Sequence, residues 1–415
     1  MHIRCNEFVR GVIDITRKQA VEVWEISKEV KGRESMAKLE QACSELGKEA
    51  GSEALRMGLQ CIEGRRRQEI CPKCKSHLDK SKRLRTYTTL VGYVRGQRWY
   101  YYCRRCAKSW APLDELIAGQ GSGISFGLQE KICQLSSEMS YEQTSKKLKS
   151  LCGLRVSATA VKEYTIRWSK LTRTHRTRGE GWSEQANLSM DAGKVNTVKN
   201  GWRDMKIAVF EQEQTQGRCY CAEIGSSKKW GLTLRGLAGS LGIGRTERMG
   251  IWGDGAAWIW KLANVNFAGA KCIVDFYHVM ENLSEYAKKT FGEGSSEAQE
   301  WLDRIGHKLK NEGGRGVYDE IEAARARRRR HRQARKKILK YLKGVLDYTE
   351  YPQYLADGLG IGSGIVESAC KRIIGARLKR GSRWREENAI SMASMRGLFL
   401  ADEWDNFWKK QLKCA

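Results

Sequence analysis

The spacing of apolar and polar residues divides this chain into helical and strand-forming stretches. In residues 1 to about 66, Leu39, Cys43, Leu46 and Ala50 recur at helical spacing within a polar sequence, which predicts amphipathic helices. A helical hairpin and an oligomerisation arm both give this pattern, and the sequence leaves the two open.

A strand pattern follows in the segment RTYTTLVGYVRGQRWYYYC, where apolar and polar residues alternate. We expect a β-hairpin here that turns near Gly96.

From about Phe126 to Leu171 the apolar spacing becomes helical again, with Ser140 and Ser157 as N-caps and Gly153 at the end of the middle helix. Two short helices joined by a glycine-containing turn are typical of a helix-turn-helix, and a plain three-helix bundle has the same periodicity. The charge of the chain favours DNA contact, which would use three basic residues on the second helix: Lys162, Arg167 and Lys170.

Beyond a polar stretch at residues 174–182, strand and helix patterns alternate. Three strands come first, followed by a helix, a strand, a helix and a strand, at 187–197, 202–212, 218–226, 234–241, 249–255, 256–264 and 270–279. This is the order of a ribonuclease-H-like mixed α/β sheet. We therefore expect an α+β multidomain protein with such a core.

The remaining residues have mostly helical spacing. They predict an all-helical insertion before the final helix of the core, and an amphipathic closing helix in 389–415 that carries Trp404, Phe407 and Trp408. The insertion contains the run RARRRRHRQARKK, which is either a solvated helix face or a clamp on the DNA backbone. We favour the clamp, with Arg327, Arg328, Arg329 and Arg330, because charge of nearly one sign repels itself unless a polyanion is bound.

These patterns divide the chain into six parts. They are an N-terminal helical region at 1–66, a zinc-ribbon-like module at 67–120, a helix-turn-helix-like helical domain at 121–178, the first part of the core at 179–283, the helical insertion at 284–360, and the final catalytic and C-terminal helices at 361–415.

The charge of the 415-residue chain points to a polyanionic partner. Lys and Arg number 75 against 48 acidic residues, a net charge of +27. Phosphates neutralised by such residues release counterions, which favours nucleic acid. An anionic membrane is the competing partner, but no apolar run approaches the roughly eighteen residues of a spanning helix. The N-terminus also lacks the apolar core of a signal peptide, so we expect a soluble intracellular protein without a membrane partner.

Two CxxC pairs flank the predicted hairpin, Cys71 with Cys74 and Cys103 with Cys106. This spacing is typical of a zinc ribbon, in which four thiolates close a tetrahedral shell around a structural Zn²⁺. Four reduced cysteines without metal are the alternative. A zinc-stabilised module of this kind would be small and basic and could contact DNA.

Three acidic residues indicate chemistry. Asp191 and Asp254 are expected at the ends of the first and fourth strands of the core, which are neighbours in a ribonuclease-H-like sheet, and Glu367 lies one turn inside the final helix. Carboxylates of this kind hold two Mg²⁺ or Mn²⁺ ions about 4 Å apart for phosphodiester transfer. An Asp-Gly turn at Asp254, a strand-end Asp191 and a helix-start Glu367 are the purely structural alternatives.

Asp275 and His278 follow the last core strand. Asp275 could itself bind metal, and His278 could orient a carboxylate or the scissile phosphate. We expect both residues to contact the metal-binding carboxylates and to orient them. The Glu367 helix has an apolar face of Ile365, Ala369, Ile373 and Ala376, and its cations are expected to contact phosphates: Lys371, Arg372, Arg377, Lys379, Arg380 and Arg383.

Together these motifs resemble the DDE transposases of bacterial insertion sequences, most closely the ISKra-type family, with kinship to the Mutator-like group. The zinc-knuckle region and the segments GDGAAW, VDFYHVMENL and GSGIVESACKRIIGARLKRGSRW carry the resemblance, which covers nearly the whole chain. It implies that Asp191, Asp254 and Glu367 are the catalytic acids, with Asp204 as the alternative first acid. Asp275 and His278 match the C/DxxH element of the Mutator-like group.

The resemblance implies Mg²⁺- or Mn²⁺-dependent cleavage at transposon ends, followed by attack of a 3′-hydroxyl on target DNA. The partners would be double-stranded terminal inverted repeats and target DNA. We expect a homo-oligomer on DNA, in the bacterial cytoplasm at the nucleoid. A catalytically inert DNA-binding regulator and a ribonuclease-H-type nuclease without strand transfer are the other candidates.

Overall fold

The computed structural model describes residues 5–65, 68–119, 121–173, 182, 186–212, 217–244, 249–326, 328–379 and 381–413. The protein is an α+β structure with two sheets, and it divides into two compact units. Unit 1 comprises Met1–Arg167 with Gln411–Ala415, and unit 2 comprises Trp168–Lys410. None of the described helices is both long and apolar enough to cross a membrane.

Unit 1 begins with two long helices, α1 (Cys5–Lys28) and α2 (Arg33–Arg65). They pack along each other as the helical hairpin that was one of the two predicted alternatives. The helices approach closely at Gly11, where an added Cβ would lie 2.7 Å from the sulfur of Met57. The Ser35 hydroxyl accepts hydrogen bonds from the backbone N–H groups of Lys31 and Gly32, which fixes the turn between the helices.

A three-stranded antiparallel sheet follows, with β1 (Asp79–Thr89), β2 (Gly92–Cys103) and β3 (Lys108–Trp110) in that order. The last pair of the hairpin is Thr89 opposite Gly92, so the chain turns at residues 90–91. The predicted turn near Gly96 is wrong, because Gly96 pairs with Arg85 in the middle of the ladder. Gly92 has the positive φ, +125°, that the true turn requires.

The rest of unit 1 is helical. Tyr87 and Val94 of the hairpin pack against Leu59 of α2 and Leu113 of the next helix. The helices are α3 (Pro112–Ala118), α4 (Phe126–Glu138), α5 (Tyr141–Cys152) and α6 (Ala158–Thr172), and α6 continues into unit 2.

Helix α5 begins and ends at the predicted residues, and α6 begins at the predicted one. Ser140 caps α5 in a capping box with Gln143, and Gly153 ends the helix in the left-handed conformation. The Ser157 hydroxyl accepts from the N–H of Ala160 at the start of α6. The helices bury one apolar cluster, consisting of Leu128, Ile132, Leu148, Leu154, Val156 and Val161.

Unit 2 is built on a five-stranded sheet of order β6-β5-β4-β7-β8. β4 (Ala186–Thr197), β5 (Gly201–Gln212) and β6 (Arg218–Glu223) are antiparallel neighbours, and β7 (Gly250–Gly253) and β8 (Lys271–Val274) continue the sheet parallel to β4. Helices α7 (Ser227–Ser240) and α8 (Ala257–Asn266) connect β6, β7 and β8 in the predicted order.

The core of unit 2 lies along these strands. Leu188, Met190, Phe210, Ile251 and Ile273 are fully buried. Parallel strands covered by helices require apolar residues on both faces, which explains why all four residues of β7 are buried.

A helical segment follows β8, as expected for the insertion. Its elements are α9 (Phe276–Phe291), α10 (Ser296–Ala323), α11 (Arg329–Val345), a 3₁₀ turn (Leu346–Tyr348) and α12 (Tyr351–Ala356). The apolar face of α11, Ala334, Ile338, Leu342 and Val345, joins the core of unit 2.

The final helices are α13 (Gly364–Cys370), a π-helical segment (Lys371–Leu378), α14 (Glu386–Leu400) and α15 (Trp404–Lys413). Two helices therefore occupy the C-terminal region where one was predicted. Trp404, Phe407 and Trp408 of α15 are buried, in agreement with the predicted packing.

The π-helical segment changes the buried face of the α13 region. Its wider turn is visible where the N–H of Lys379 donates to the carbonyl of Ile374. The buried residues are Val366, Ala369, Ile373, Ile374 and Leu378, and not Ile365 and Ala376 as regular spacing predicts. An added Cβ at Gly193 would lie 2.6 Å from Ile374, so a glycine in β4 lets the segment pack directly on the sheet.

Candidate functional site

The four predicted zinc-binding cysteines lie together in unit 1. Their sulfur atoms are all within 4.8 Å of one another, and no other set of three or more His, Cys, Asp or Glu residues in the described chain meets that criterion. Cys71 Sγ is 4.0 Å from Cys106 Sγ, and Cys74 Sγ is 3.4 Å from Cys103 Sγ. Such a cluster can hold a metal ion such as zinc.

The hairpin fixes the cysteine cluster. Cys103 ends β2, and the sharp turns after each CxxC pair use two non-glycine residues of positive φ, Lys75 and Ala107. The Ser76 hydroxyl lies 3.0 Å from Cys74 Sγ and 3.3 Å from Cys103 Sγ. Hydrogen bonding from Ser76 lowers the pKa of Cys74 to about 6 and also lowers the pKa of Cys103, whereas hydrogen bonding with Cys74 raises the pKa of Cys106 to about 12. The close packing of the four thiols therefore shifts their pKa values in opposite directions.

Asp191 and Asp254 are adjacent in unit 2. β4 pairs parallel with β7 in a register that places Met190 opposite Gly253, and each aspartate is the next residue along its strand. Asp191 does not end β4 as expected, because the strand continues to Thr197. Asp204, the alternative to Asp191 in the sequence, lies opposite Lys194 and forms an ion pair with it at 2.8 Å.

The electrostatics of Asp191 depend on its neighbours. Burial raises the pKa of the Asp191 carboxyl, and the negative charge of Asp254 adds to the rise. Hydrogen bonds from the Cys370 thiol and from the N–H of Ala192 act in the opposite direction. Two carboxylates that repel each other at the end of a buried strand pair are a site that a cation would stabilise.

Asp275 connects the sheet to the helix of Glu367. It directly follows Val274, the residue opposite Gly253 in the β7–β8 register, and it is buried. One carboxylate oxygen accepts from the N–H of His278 and caps α9, and the other accepts from both the N–H and the hydroxyl of Ser363, at 2.6 Å for the hydroxyl. Ser363 is the residue before α13, so Asp275 holds the start of that helix.

Glu367 occupies the fourth position of α13, as predicted from Ser363 as N-cap. Its side chain is 61% exposed and forms an ion pair with Lys371 at 2.5 Å. One turn further along, Cys370 donates to Asp191. Contacts at Ser363 and Cys370 thus hold α13 on both sides of Glu367, at the edge of the sheet that carries Asp191, Asp254 and Asp275.

His278 lies on the first turn of α9, close to the same acids. Its Nδ1 is 3.8 Å from a carboxylate oxygen of Glu281, and in its protonated form it would lower the pKa of Asp191. The negative charge of Glu281 also contributes to the raised pKa of Lys371, the ion-pair partner of Glu367. His278 and Glu281 are therefore part of a charged network around the acids.

Sequence reasoning missed two groups beside the acids. Burial raises the pKa of Cys370, and the neighbouring Asp191 and Asp254 raise it further. Burial also raises the pKa of Tyr341 on α11, with contributions from Asp254 and Asp275. The Tyr341 hydroxyl is inaccessible and has no hydrogen-bond partner among the described residues. Neither group has a sequence signal, since each lies in an ordinary helical pattern and far along the chain from Asp191 and Asp254.

Comparison with known proteins adds one observation. Residues 29–188 match an uncharacterised protein family, UPF0236. The chain matches no curated protein. The family match spans α2, the cysteine cluster and the helices that follow, and it ends within β4, before Asp191.

The predicted DNA-contacting cations have different environments. Lys162, Arg167 and Lys170 are exposed on α6, and Arg328, Arg329 and Arg330 are exposed at the start of α11. Arg372, Lys379 and Arg383 are also exposed, whereas Lys371 is paired with Glu367. Arg377 differs from the prediction, because it is buried with its guanidinium 4.8 Å from the ring centre of Trp384. Arg327 and Arg380 lie outside the described residues.

We expect Asp275→Ala to lower the free energy of unfolding by about 1–3 kcal/mol, because the N–H and hydroxyl of Ser363 lose a buried charged acceptor. Denaturant unfolding measures this loss. Ser363→Ala removes only the hydroxyl and should cost less. If Asp275 binds metal itself, Asp275→Ala will also abolish any rise in melting temperature caused by Mg²⁺; if it only holds α13, a reduced rise will remain.

Proposed function

We propose that this protein is a DDE-type transposase, which cleaves and joins DNA strands with divalent metal ions bound by Asp191, Asp254 and Glu367. The observation that carries the proposal is the β4–β7 register, which makes Asp191 and Asp254 neighbours at one edge of the sheet. This is the arrangement that the two separate sequence motifs predict.

The topology supports a ribonuclease-H-like core. Numbered in chain order within unit 2, the sheet has the order 3-2-1-4-5, with the second strand antiparallel to the first and the fourth and fifth parallel to it. In open α/β sheets, ligands bind beyond the carboxyl ends of the parallel strands, which is where Asp254 and Asp275 lie.

Carboxylates are the ligand type of a hard divalent cation, although the oxygen atoms of the three acids do not all lie within 4.8 Å of one another. Asp191, Asp254 and Glu367 offer carboxylate oxygens, which suit Mg²⁺ or Mn²⁺. The buried Tyr341 hydroxyl beside Asp254 lacks a protein partner among the described residues and could bond a water held at the site. Because Glu367 is paired with Lys371, we propose that metal binding draws this carboxylate from Lys371 towards the aspartates.

When bound, two metal ions would activate the attacking oxygen and stabilise the leaving oxygen at phosphorus. The protein residues orient the reaction. Asp275 holds the start of α13 through Ser363, and Cys370 holds its end at Asp191, so Glu367 is presented at a fixed point. His278 is placed to bond a phosphate oxygen or to orient Glu281. Exposed cations of the final helices, Arg372 and Lys379, would hold the DNA backbone near the acids.

The N-terminal modules would recognise the DNA ends. We propose that the cysteine cluster is a zinc ribbon with structural Zn²⁺, and that α5 and α6 act as a helix-turn-helix with Lys162 and Arg167 towards DNA. The basic start of α11 would clamp the DNA backbone. A homo-oligomer on double-stranded DNA would bring two transposon ends together.

The proposal is tested with the full-length protein, a plasmid that carries the two DNA ends flanking its gene, and a second plasmid as target. Transposase activity predicts nicks at those ends with Mg²⁺ or Mn²⁺, none with EDTA, and products joined to the target plasmid. Nicking without joined products would instead support the nuclease. Binding without nicking under any metal would support the inert regulator.

A further inference from the structure

Between residues 82 and 97, the β1–β2 hairpin has one largely buried face and one exposed face. Nearer the cysteine cluster, Tyr101 and Cys103 of the second face are buried. On the exposed face, Thr86 lies opposite Arg95, Leu84 opposite Gln97 and Lys82 opposite Trp99. All of these side chains are exposed except that of Trp99, which is half-buried. We call Lys82, Leu84, Thr86, Arg95 and Gln97 the ribbon face.

The opposite face is fixed to the rest of unit 1. Tyr87 and Val94 are fully buried, and Asp114 of α3 accepts hydrogen bonds from Arg85 at 2.8 Å and from Arg98 at 2.6 Å. This buried network orients the hairpin rigidly, so the ribbon face is presented without local folding. Rigid presentation lowers the entropic cost of binding a partner.

The charges of the hairpin strands favour a polyanion. Asp79 is the only acidic residue of β1 and β2, and it is paired with Arg104 at 2.7 Å. In the part of the chain that the structure describes, no carboxylate lies within ion-pairing distance of Lys82, Arg83 or Arg95. Arg83 lies 3.8 Å from the ring centre of Tyr100, and Lys82 lies 5.3 Å from that of Trp99, so aromatic rings hold both cations in place.

We propose that the ribbon face enters the major groove of double-stranded DNA and reads base sequence there. A two-stranded β-ribbon fits this groove, and the face carries the side chains that read base edges: Arg95 for guanine, Gln97 for adenine and the apolar Leu84 for the thymine methyl group. Lys82, at one end of the ribbon face, would bind a flanking phosphate. The proposal rests on the proposed function for its DNA partner and assigns sequence reading to the hairpin.

A protein strand added to the edge of β1 is the competing occupant. The outer edge of β1 carries Lys80, Lys82 and Arg83 in its first half, and edge lysines oppose strand addition. In its second half, Thr88 already exchanges backbone hydrogen bonds with Gly123 and Ser125. Charge and edge pairing therefore both favour DNA.

The test uses the full-length protein and a pool of DNA duplexes with a randomised central segment. Duplexes enriched by the wild type define a preferred sequence, which then becomes the labelled probe. We expect Arg95→Ala with Gln97→Ala to weaken binding to this probe by about tenfold or more and to relax the preference at neighbouring base pairs. Binding to a scrambled duplex of equal length should change much less.

The matched control removes the same residue types from exposed positions of α1 and α2, Arg17→Ala with Gln41→Ala. It should retain both the affinity and the preferred sequence. Unchanged affinity and sequence preference in the Arg95/Gln97 variant would overturn the ribbon proposal and leave the proposed function intact. If the wild type binds no duplex, or prefers single-stranded RNA of the same length, the ribbon proposal and the proposed function are both wrong.

Discussion

Asp254→Asn is expected to reduce Mg²⁺-dependent strand cleavage by about 10³-fold or more. Asparagine keeps the size of the side chain and can still accept the hydrogen bond from the N–H of Ala256, but it removes the negative charge that would hold metal beside Asp191. Loss of a metal ligand removes several kcal/mol of transition-state stabilisation, and each 1.36 kcal/mol is tenfold in rate. Cleavage of end-labelled DNA under single-turnover conditions measures the effect.

Binding distinguishes a catalytic loss from a folding defect. Asp254→Asn should bind DNA as the wild type does, and in EDTA it should melt at the same or a higher temperature, because repulsion with Asp191 is relieved. Glu367→Gln should lose cleavage in the same way. Asp204→Asn is the matched control, since its carboxylate pairs with Lys194, and it should cleave normally. Normal cleavage by Asp254→Asn would refute the assignment.

Loss of one cluster thiolate is the second large effect. Cys103→Ser is expected to abolish stoichiometric zinc binding and to unfold the hairpin region, because structural zinc supplies about 10–16 kcal/mol of binding free energy in small modules. Metal analysis of the purified protein and limited proteolysis between β1 and β3 measure the two effects. A strong chelator should give the same proteolytic pattern in the wild type.

Cys152→Ser is the control for this variant. Cys152 is a free, exposed cysteine at the end of α5, away from the cluster. Its replacement should leave the zinc content and the protease resistance unchanged. One zinc ion per chain in both the wild type and Cys103→Ser would show that the four cysteines do not form the metal site.

Local signals explain why much of the architecture could be predicted. Ser140, Gly153 and Ser157 act on the nearest backbone groups, so the ends of α5 and α6 follow from the residues themselves. The position of the hairpin turn is not predicted correctly, because the chain turns at residues 90–91, beside Gly92 with its positive φ, and not near Gly96. The alternation of apolar and polar residues does not by itself determine where the two strands of a hairpin are joined.

The acidic residues show which contacts cannot be predicted from spacing along the chain. Motif context selected Asp191 and Asp254, and strand order made them neighbours once the sheet formed. The contacts of Asp275 with Ser363 and of Cys370 with Asp191 join residues that are far apart in the chain. No spacing rule predicts such contacts, and the π-helical segment that buries Ile374 against Gly193 breaks the regular helical spacing.

The sequence by itself determined the type and order of most elements, the CxxC pairs and the excess of positive charge, because these depend on residue type and on spacing over a few residues. Only the tertiary structure decided that Asp275 supports α13, that Arg377 is buried, and that the ribbon face is exposed. Those outcomes depend on strand register and helix packing, which are set by the fit of distant side chains.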